Sequence, residues 1–294
     1  MIEFRDHRPV IIIGAARSGT KILRDVLGAS ADTACIPFDV NYIWRTGNEK
    51  SPSDVLDVVD CTEDLRRRIR TSIFKAAGIQ QRQTDRIVVE KTVSNCLRVP
   101  FVRRVFPEAR FVHLVRDGRD VAESARRMWE APLDRRYLLK KLKYFPWSNL
   151  RYVSWFAWNR LRQFLPVTSG DESRVAIWGP RYPGIERALS TEPILRVCAR
   201  QWRICVESAL EGTERDQSGN WLQLRYEDFV GNEREIMRVA EFIGIKDIDP
   251  VLEKYRSEVR CDLGGRWKSL DHDEIEQIRS ELGDTLSRLG YENE

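Results

Sequence analysis

Apolar positions along the chain fall in short unbroken blocks, separated by stretches in which they recur every three or four residues. Pro9-Val-Ile-Ile-Ile-Gly14 is a continuous apolar run closed by glycine, the mark of a strand buried on both faces. Ile22, Leu23, Val26 and Leu27 follow at helical spacing. Arg86–Glu90 and Arg110–Val115 are two more strand-length blocks, and Val121–Trp129 reads as the helix after the second. Trp221–Tyr226 predicts a fourth strand, and Glu233–Ile243 a helix stopped by Gly244. Strands alternating with helices predict an α/β protein, a parallel sheet flanked by helices.

Two regions interrupt this rhythm. Ser51–Ala77 is a charged stretch of helical character carrying Arg66, Arg67, Arg68 and Arg70. Leu133–Gly184 is basic and aromatic, with Tyr137, Tyr144, Phe145, Trp147, Tyr152, Trp155, Phe156, Trp158 and Trp178. Such an insertion is either extra core beneath a helical cap or a wall of an acceptor pocket. No linker composition marks off a second domain. Residues 1–294 therefore read as one domain, with 133–184 as an acceptor-side insertion.

Composition removes several classes. With 294 residues, 42% hydrophobic and 32% charged, the chain is neither disordered nor fibrous. The longest apolar run, Val10–Ile13, is far short of the ~18 residues that would span a bilayer. Met1–Arg8 is charged and predicts no secretory leader. Cys35, Cys61, Cys96, Cys198, Cys205 and Cys261 show no metal-ligand spacing and read as reduced thiols of a cytoplasmic protein. A net charge of +4 is too mild to imply nucleic acid. Arg outnumbers Lys thirty-nine to ten. The guanidinium fork suits phosphate and sulfate oxygens, and it also serves ordinary solvated faces, so local placement decides.

The first strand runs into Gly14-Ala-Ala-Arg17-Ser18-Gly19-Thr20-Lys21 and then a helix. A strand, a tight loop and a helix N-terminus direct several backbone N–H groups at one place, a setting for an anion. Gly14 and Gly19 have the spacing of a Walker A loop, but Thr20-Lys21 stands where Lys-Ser/Thr is required. The usual lysine and metal-binding hydroxyl are out of register, which disfavours an ATP kinase. Arg17 lies inside the loop instead, beside the hydroxyls of Ser18 and Thr20. A second anion position follows Arg110–Val115, where Arg116 stands at a strand's C-terminal end and Ser124 about two helical turns on. The competing reading is an Arg116–Asp120 ion pair that caps the helix.

These residues resemble the sulfotransferases that use 3′-phosphoadenosine 5′-phosphosulfate (PAPS). Arg17-Ser-Gly-Thr is similar to their 5′-phosphosulfate loop, and Arg116-Asp-Gly-Arg-Asp-Val…Ser124 to their 3′-phosphate motif. Leu224-Arg-Tyr226-Glu-Asp resembles the strand end whose Tyr approaches the adenine, and Gly265-Arg266-Trp267-Lys268 the late loop that closes over the nucleotide. The resemblance implies donor contacts from Arg17, Ser18, Gly19, Thr20, Lys21, Arg116, Ser124, Tyr226, Arg266, Trp267 and Lys268. PAPS is then the sulfuryl donor, and no metal is required. Cytosolic aryl and steroid members carry Lys in the first loop and a Lys-Thr-His segment. Here Arg17 and Lys91-Thr92-Val93 stand there, closer to the tyrosylprotein and carbohydrate branch.

The chemistry so implied is in-line displacement at sulfur, with charge building on the leaving oxygen. Arg17 and Lys91 are the candidate cations for that charge. The attacking hydroxyl needs a base. His7 precedes the first strand, His113 lies mid-strand, and His272 sits where a helix should begin. Asp39 falls in nearly the register of the tyrosylprotein enzymes' catalytic Glu and is the expected base, with Glu90 second; an Asx-type turn after Pro37 is the plainer reading of Asp39. The acceptor is expected to be a carbohydrate, glycolipid or other small hydroxyl compound. A P-loop kinase and an inactive nucleotide-binding module are the alternatives.

Overall fold

The computed structural model of the protein describes residues 8–79, 86–130, 179–214, 218–261 and 264–291. Its centre is one five-stranded parallel sheet of β1 (Val10–Ile13), β2 (Thr33–Cys35), β3 (Ile87–Lys91), β4 (Arg110–Val115) and β5 (Trp221–Arg225), in the order β2-β3-β1-β4-β5. The helices up to residue 130 are α1 (Thr20–Leu27), α2 (Asn41–Trp44), α3 (Glu63–Ala76), α4 (Val99–Val105) and α5 (Gly118–Glu130). After residue 179 come α6 (Ile185–Thr191), α7 (Ile194–Glu214), α8 (Tyr226–Gly231), α9 (Glu233–Ile243), α10 (Asp249–Glu258), α11 (His272–Leu282) and α12 (Thr285–Arg288).

The unbroken apolar strands are explained by burial on both sides. Ile11, Ile13, Val88, Phe111 and Val115 join a core with Ile69, Phe101, Ala125, Trp202 and Ile278, from α3, α4, α5, α7 and α11. Val10, Ile12, Val89, Val112, Leu114 and Leu224 point the other way, into a core with Leu23, Val26, Ile236, Val239 and Val251. Successive side chains on a strand take opposite faces, so a two-sided sheet leaves no polar alternation to read.

Three elements differ from the pattern. β2 has only three residues and lies at the sheet edge, and Thr-Ala-Cys carries no apolar run. Helix in the Ser51–Ala77 stretch begins only at Glu63, where the Thr62 hydroxyl accepts from the Leu65 N–H at 3.3 Å. Upstream of it the chain forms only a single 3-10 turn at Val58–Asp60 and is held from outside by Arg45, which donates to the Ser53 carbonyl at 2.9 Å and pairs with Asp54 at 2.8 Å. Three of the four arginines of α3 are occupied structurally. Arg66 and Arg67 pair with Glu63 and Asp64 one turn back, and Arg70 with Glu108. Most of the 133–184 insertion, with all nine of its named aromatics, lies outside the described residues. Its described end docks on the irregular segment: the Asp54 N–H donates to the Arg181 carbonyl at 2.8 Å, and the Arg181 N–H to the Asp54 carboxylate at 2.9 Å.

His113 is fully buried in β4, and His272 opens α11 beside its Asp271 cap. All six cysteines are free. Among the described residues no helix is long and apolar enough to cross a membrane.

α7 and α11 are joined by an ion cluster. Glu281 accepts from Arg200 at 2.8 and 2.9 Å and from Arg196 at 2.6 Å. Hydrogen bonding from Arg200 and then Arg196 holds the Glu281 carboxyl down to about 2, from an ordinary 4.5. Its folded-state pKa is depressed, so the stability it contributes is complete above about 4.5 and is lost as pH falls toward 2. Glu281→Gln should therefore lower Tm at neutral pH and flatten the acid limb of a Tm–pH curve, as read by calorimetry.

Candidate active site

Because every strand is parallel, the segments leaving their C-terminal ends emerge along one edge of the sheet. Register makes this specific: Ile12 lies beside Lys91, Ile13 beside His113, and Val115 beside Arg225. The Gly14–Gly19 loop, the Lys91-Thr92 segment, Arg116 and Tyr226 therefore share that edge, where ligands of open α/β sheets bind.

The loop's two glycines have distinct reasons. A Cβ on Gly14 would lie 2.6 Å from the Leu114 carbonyl oxygen, and one on Gly19, at φ +88°, 2.5 Å from the Tyr226 ring. Glycine thus lets the loop hug β4 and lets Tyr226 seat against it. Arg17 holds φ 73°, a left-handed conformation that costs a side-chain-bearing residue free energy. That conformation delivers its Nε to the Ser124 hydroxyl at 3.0 Å. Burial first, then the positive charges of Arg116 and Arg127, push the Arg17 guanidinium below its ordinary value. Ser18 is fully buried, and its hydroxyl has no partner among the described residues. α1 begins without a side-chain cap and without an acidic residue in its first turn. Crowded guanidiniums, an orphaned hydroxyl and an uncapped helix start form a site complementary to an anion. Thr20 is buried there, whereas the Lys21 side chain is largely exposed and pairs with Asp25 at 2.7 Å. Lys21 is thus turned to the helix flank, where its main-chain N–H is what it offers the loop.

The second anion segment joins the first. Arg116 donates to the Arg17 carbonyl at 3.3 Å and stacks over the Tyr226 ring at 4.4 Å. It also approaches Asp120 at 3.5 Å, so the ion pair weighed from the sequence is present alongside these contacts. The Asp120 carboxylate in turn accepts from the N–H groups of Gly265 and Trp267, at 2.8 and 3.2 Å. The late loop is thereby tied to the start of α5. Trp267 lies on the Arg119 guanidinium, 4.1 Å from ring centroid to charge centre, and Arg119 is clamped by Asp117. Arg266 and Lys268 are exposed on the same turn. The charge of Arg266 is felt at Tyr226.

On the other side of β1 the candidate cation and candidate base meet. The Lys91 ammonium donates to the Asp39 carboxylate, whose other oxygen accepts from the Val93 N–H at 3.3 Å. Lys91 is buried, while Asp39 keeps about 29% of its side chain exposed, enough to meet a ligand. Glu90 points through the opposite face of β3 and is fully buried. It accepts from the Thr92 hydroxyl and from Asn95 Nδ2 at 2.9 Å, and burial pushes it up to about 7. A carboxylate with no exposed surface does not reach an acceptor, which removes Glu90 as a base in direct contact with it.

The sulfotransferase family profile matches residues 9–160, just over half of the chain. The chain belongs to the sulfotransferase family. Among solved structures, the sulfotransferase domain of the curacin biosynthetic pathway superposes with a TM-score of 0.52 at 15% identity, covering 97% of this chain and 98% of its own. A sulfotransferase from Mycobacterium avium gives 0.55 at 14% identity, covering 97% and 78%. At such identities these neighbours speak for the fold alone. No curated protein sequence matches the chain. The kinase alternative gains no support.

Several residues of this sulfotransferase site escape sequence reading. Trp202, whose indole N–H donates to the Arg116 carbonyl at 3.1 Å, supports the second anion position from outside any motif. Within the second anion segment the Arg116–Asp120 pair is local enough to read; the bonds that tie Asp120 to Gly265 and Trp267 span about 145 residues of chain. Arg127 adds its charge to the Arg17 site from one turn beyond Ser124, while pairing with Glu123 at 2.7 Å. Helical spacing from Ser124 is the signal that could have found it.

Proposed function

We propose that this sulfotransferase moves the sulfuryl group of PAPS to an acceptor hydroxyl and releases 3′-phosphoadenosine 5′-phosphate (PAP). The observation that carries this reading is the convergence of Arg17, Ser18, Arg116, Ser124 and Tyr226 on one sheet edge, with Lys91 and Asp39 beside them. Arg17, Ser18, Gly19, Thr20 and Lys21 hold the 5′-phosphosulfate. Arg116 and Ser124 hold the 3′-phosphate, Tyr226 lies along the adenine, and Arg266, Trp267 and Lys268 close over the nucleotide. No residue set in this account calls for a metal.

The acceptor oxygen forms a bond to sulfur as the bond from sulfur to the 5′-phosphate oxygen breaks, and the hydroxyl proton goes to Asp39. Arg17 stays protonated throughout, so its part is electrostatic. The Lys91–Asp39 pair links the two ends of the step. A carboxylate that takes a proton loses its charge and its hold on the ammonium, which is then free to serve the leaving oxygen. We read residues 1–294 as one domain with 133–184 on the acceptor side, and the enzyme as nearer the tyrosylprotein and carbohydrate branch. The acceptor class that suits an aromatic and basic wall is a carbohydrate, a glycolipid or another small hydroxyl compound.

Isothermal titration tests the donor assignment. Arg116→Ala should weaken PAP binding by ~1.5–3 kcal/mol, the range for hydrogen bonds to charged groups, and leave adenosine 5′-phosphosulfate nearly unaffected because that ligand lacks the 3′-phosphate. Equal losses for both ligands would move Arg116 to a purely structural place, as partner of Asp120 and Tyr226.

A further inference from the structure

We propose that Glu90 is a positioning residue: its ionised carboxylate, acting through the Thr92 hydroxyl, fixes the Val40 N–H and with it the neighbouring Asp39 carboxylate against Lys91. This rests on the reading of Asp39 and Lys91 given above. The direction of each hydrogen bond carries it. The Val40 N–H donates to Thr92 Oγ1 at 3.0 Å. The Thr92 proton is therefore free to go only outward, to Glu90 Oε1. Asn95 Nδ2 donates to the second Glu90 oxygen at 2.9 Å, because its Oδ1 is taken by Arg98 Nε at 3.0 Å. Arg98 also donates to Asn41 Oδ1 at 2.6 Å, and Asn41 Nδ2 to Asp54 at 3.0 Å. Asp54 is further held by Arg45 and Ser94, both at 2.8 Å. The Thr92 and Asn95 donors are each oriented by their other partner, and Glu90 is required to accept from both sides.

A neutral Glu90 has a proton on one oxygen, which would face a donor. On Oε1 that proton would point at the Thr92 hydroxyl and turn the Thr92 proton away, so the oxygen that takes the Val40 N–H would lose its charge-assisted anchor and the strap beside Asp39 would slacken. The groups facing Glu90 set where this happens. Burial is the largest influence and drives the acid upward; the Asp39 charge, from the segment after β2, adds to it. Thr92, Trp44 of α2 and Arg98 pull the other way, and the balance leaves the carboxyl at about 7. The strap is therefore set to loosen as pH drops through neutrality.

Two readouts test this on the full chain. The Val40 amide cross-peak in a 15N–1H spectrum should titrate across neutral pH in the wild type, stay flat in Glu90→Gln and be flat and displaced in Thr92→Val. The rate of PAP release from saturating PAPS, with a pool of phenolic and sugar hydroxyls, should show an acid limb near neutrality. In Thr92→Val it should fall at least ~10-fold with the limb gone, since ångström-scale misplacement of a reacting group costs up to ~100-fold. Thr92→Ser, which keeps the hydroxyl, should restore both rate and limb, and PAP affinity should stay within a factor of two throughout. A flat Val40 signal in the wild type, or an unchanged rate and limb in Thr92→Val, would overturn the positioning role. Absence of any PAP release by the wild type would instead overturn the transfer reading together with it, and the Thr92 variants keep the test decisive if Glu90→Gln does not fold.

Discussion

Asp39→Asn should lose at least ~100-fold in kcat while PAP affinity and Tm stay near wild type, because removing a general base costs 10²–10⁴-fold and the amide preserves size. Asparagine can keep its carbonyl oxygen toward the buried Lys91 ammonium, but its NH2 then faces the Val93 N–H from which the second carboxylate oxygen accepts, so the unchanged Tm is the control that separates proton acceptance from packing. Glu90 is fully buried behind the strand and offers no replacement. Rapid-quench measurement of product at saturating donor would separate kcat from binding. Full activity in Asp39→Asn would mean that the hydroxyl needs no protein base, and would favour a phenolic acceptor over a sugar.

The second large effect belongs to the cations. Arg17→Ala or Lys91→Ala should lower kcat by ~10²–10³, the range for loss of one donor to developing negative charge, and raise the donor KM much less. Backbone strain does not confuse the Arg17 result. Alanine pays about the same steric penalty at φ 73° as arginine does, so the loss reports the guanidinium rather than the loop. Arg17→Lys should keep part of the rate, since a point charge remains without the fork that reaches Ser124. An unchanged kcat with only a raised KM for PAPS would reassign that residue to ground-state binding.

The parts of the fold that are legible in the sequence are those set by burial on both sides of a strand. Val10–Ile13 and Arg110–Val115 read correctly to the residue, and Glu233–Ile243 ends where Gly244 takes a left-handed φ of 90°. β2 was not legible, because an edge strand of three residues needs only one neighbour and no apolar run. The helical reading of 51–62 failed for the opposite reason. Its charges resemble a solvated helix, yet its backbone is organised by Arg45 and Arg181, which a local pattern cannot see.

The same division runs through the site. Arg17, Arg116, Ser124 and Tyr226 announce themselves by their places after strands, and the structure does bring them together, though Ser124 meets Arg17 and Arg116 meets Asp120. Pairings such as Lys91 with Asp39, or Glu90 with Thr92 and Asn95, depend on which face of β3 each residue takes and on a loop that returns from β2. Strand alternation predicts that Glu90 and Lys91 part company. It does not say which of the two faces the solvent edge.

The measurement that tests the central claim most directly is mass spectrometry of an acceptor library incubated with the protein and PAPS, with PAP followed in the same samples. The account predicts a gain of one SO3 on a hydroxyl compound, matched mole for mole by PAP, and its loss in Asp39→Asn and Arg17→Ala. PAP binding without any SO3 transfer across phenolic, sugar and lipid-linked hydroxyls would contradict it and leave a nucleotide-binding module in its place.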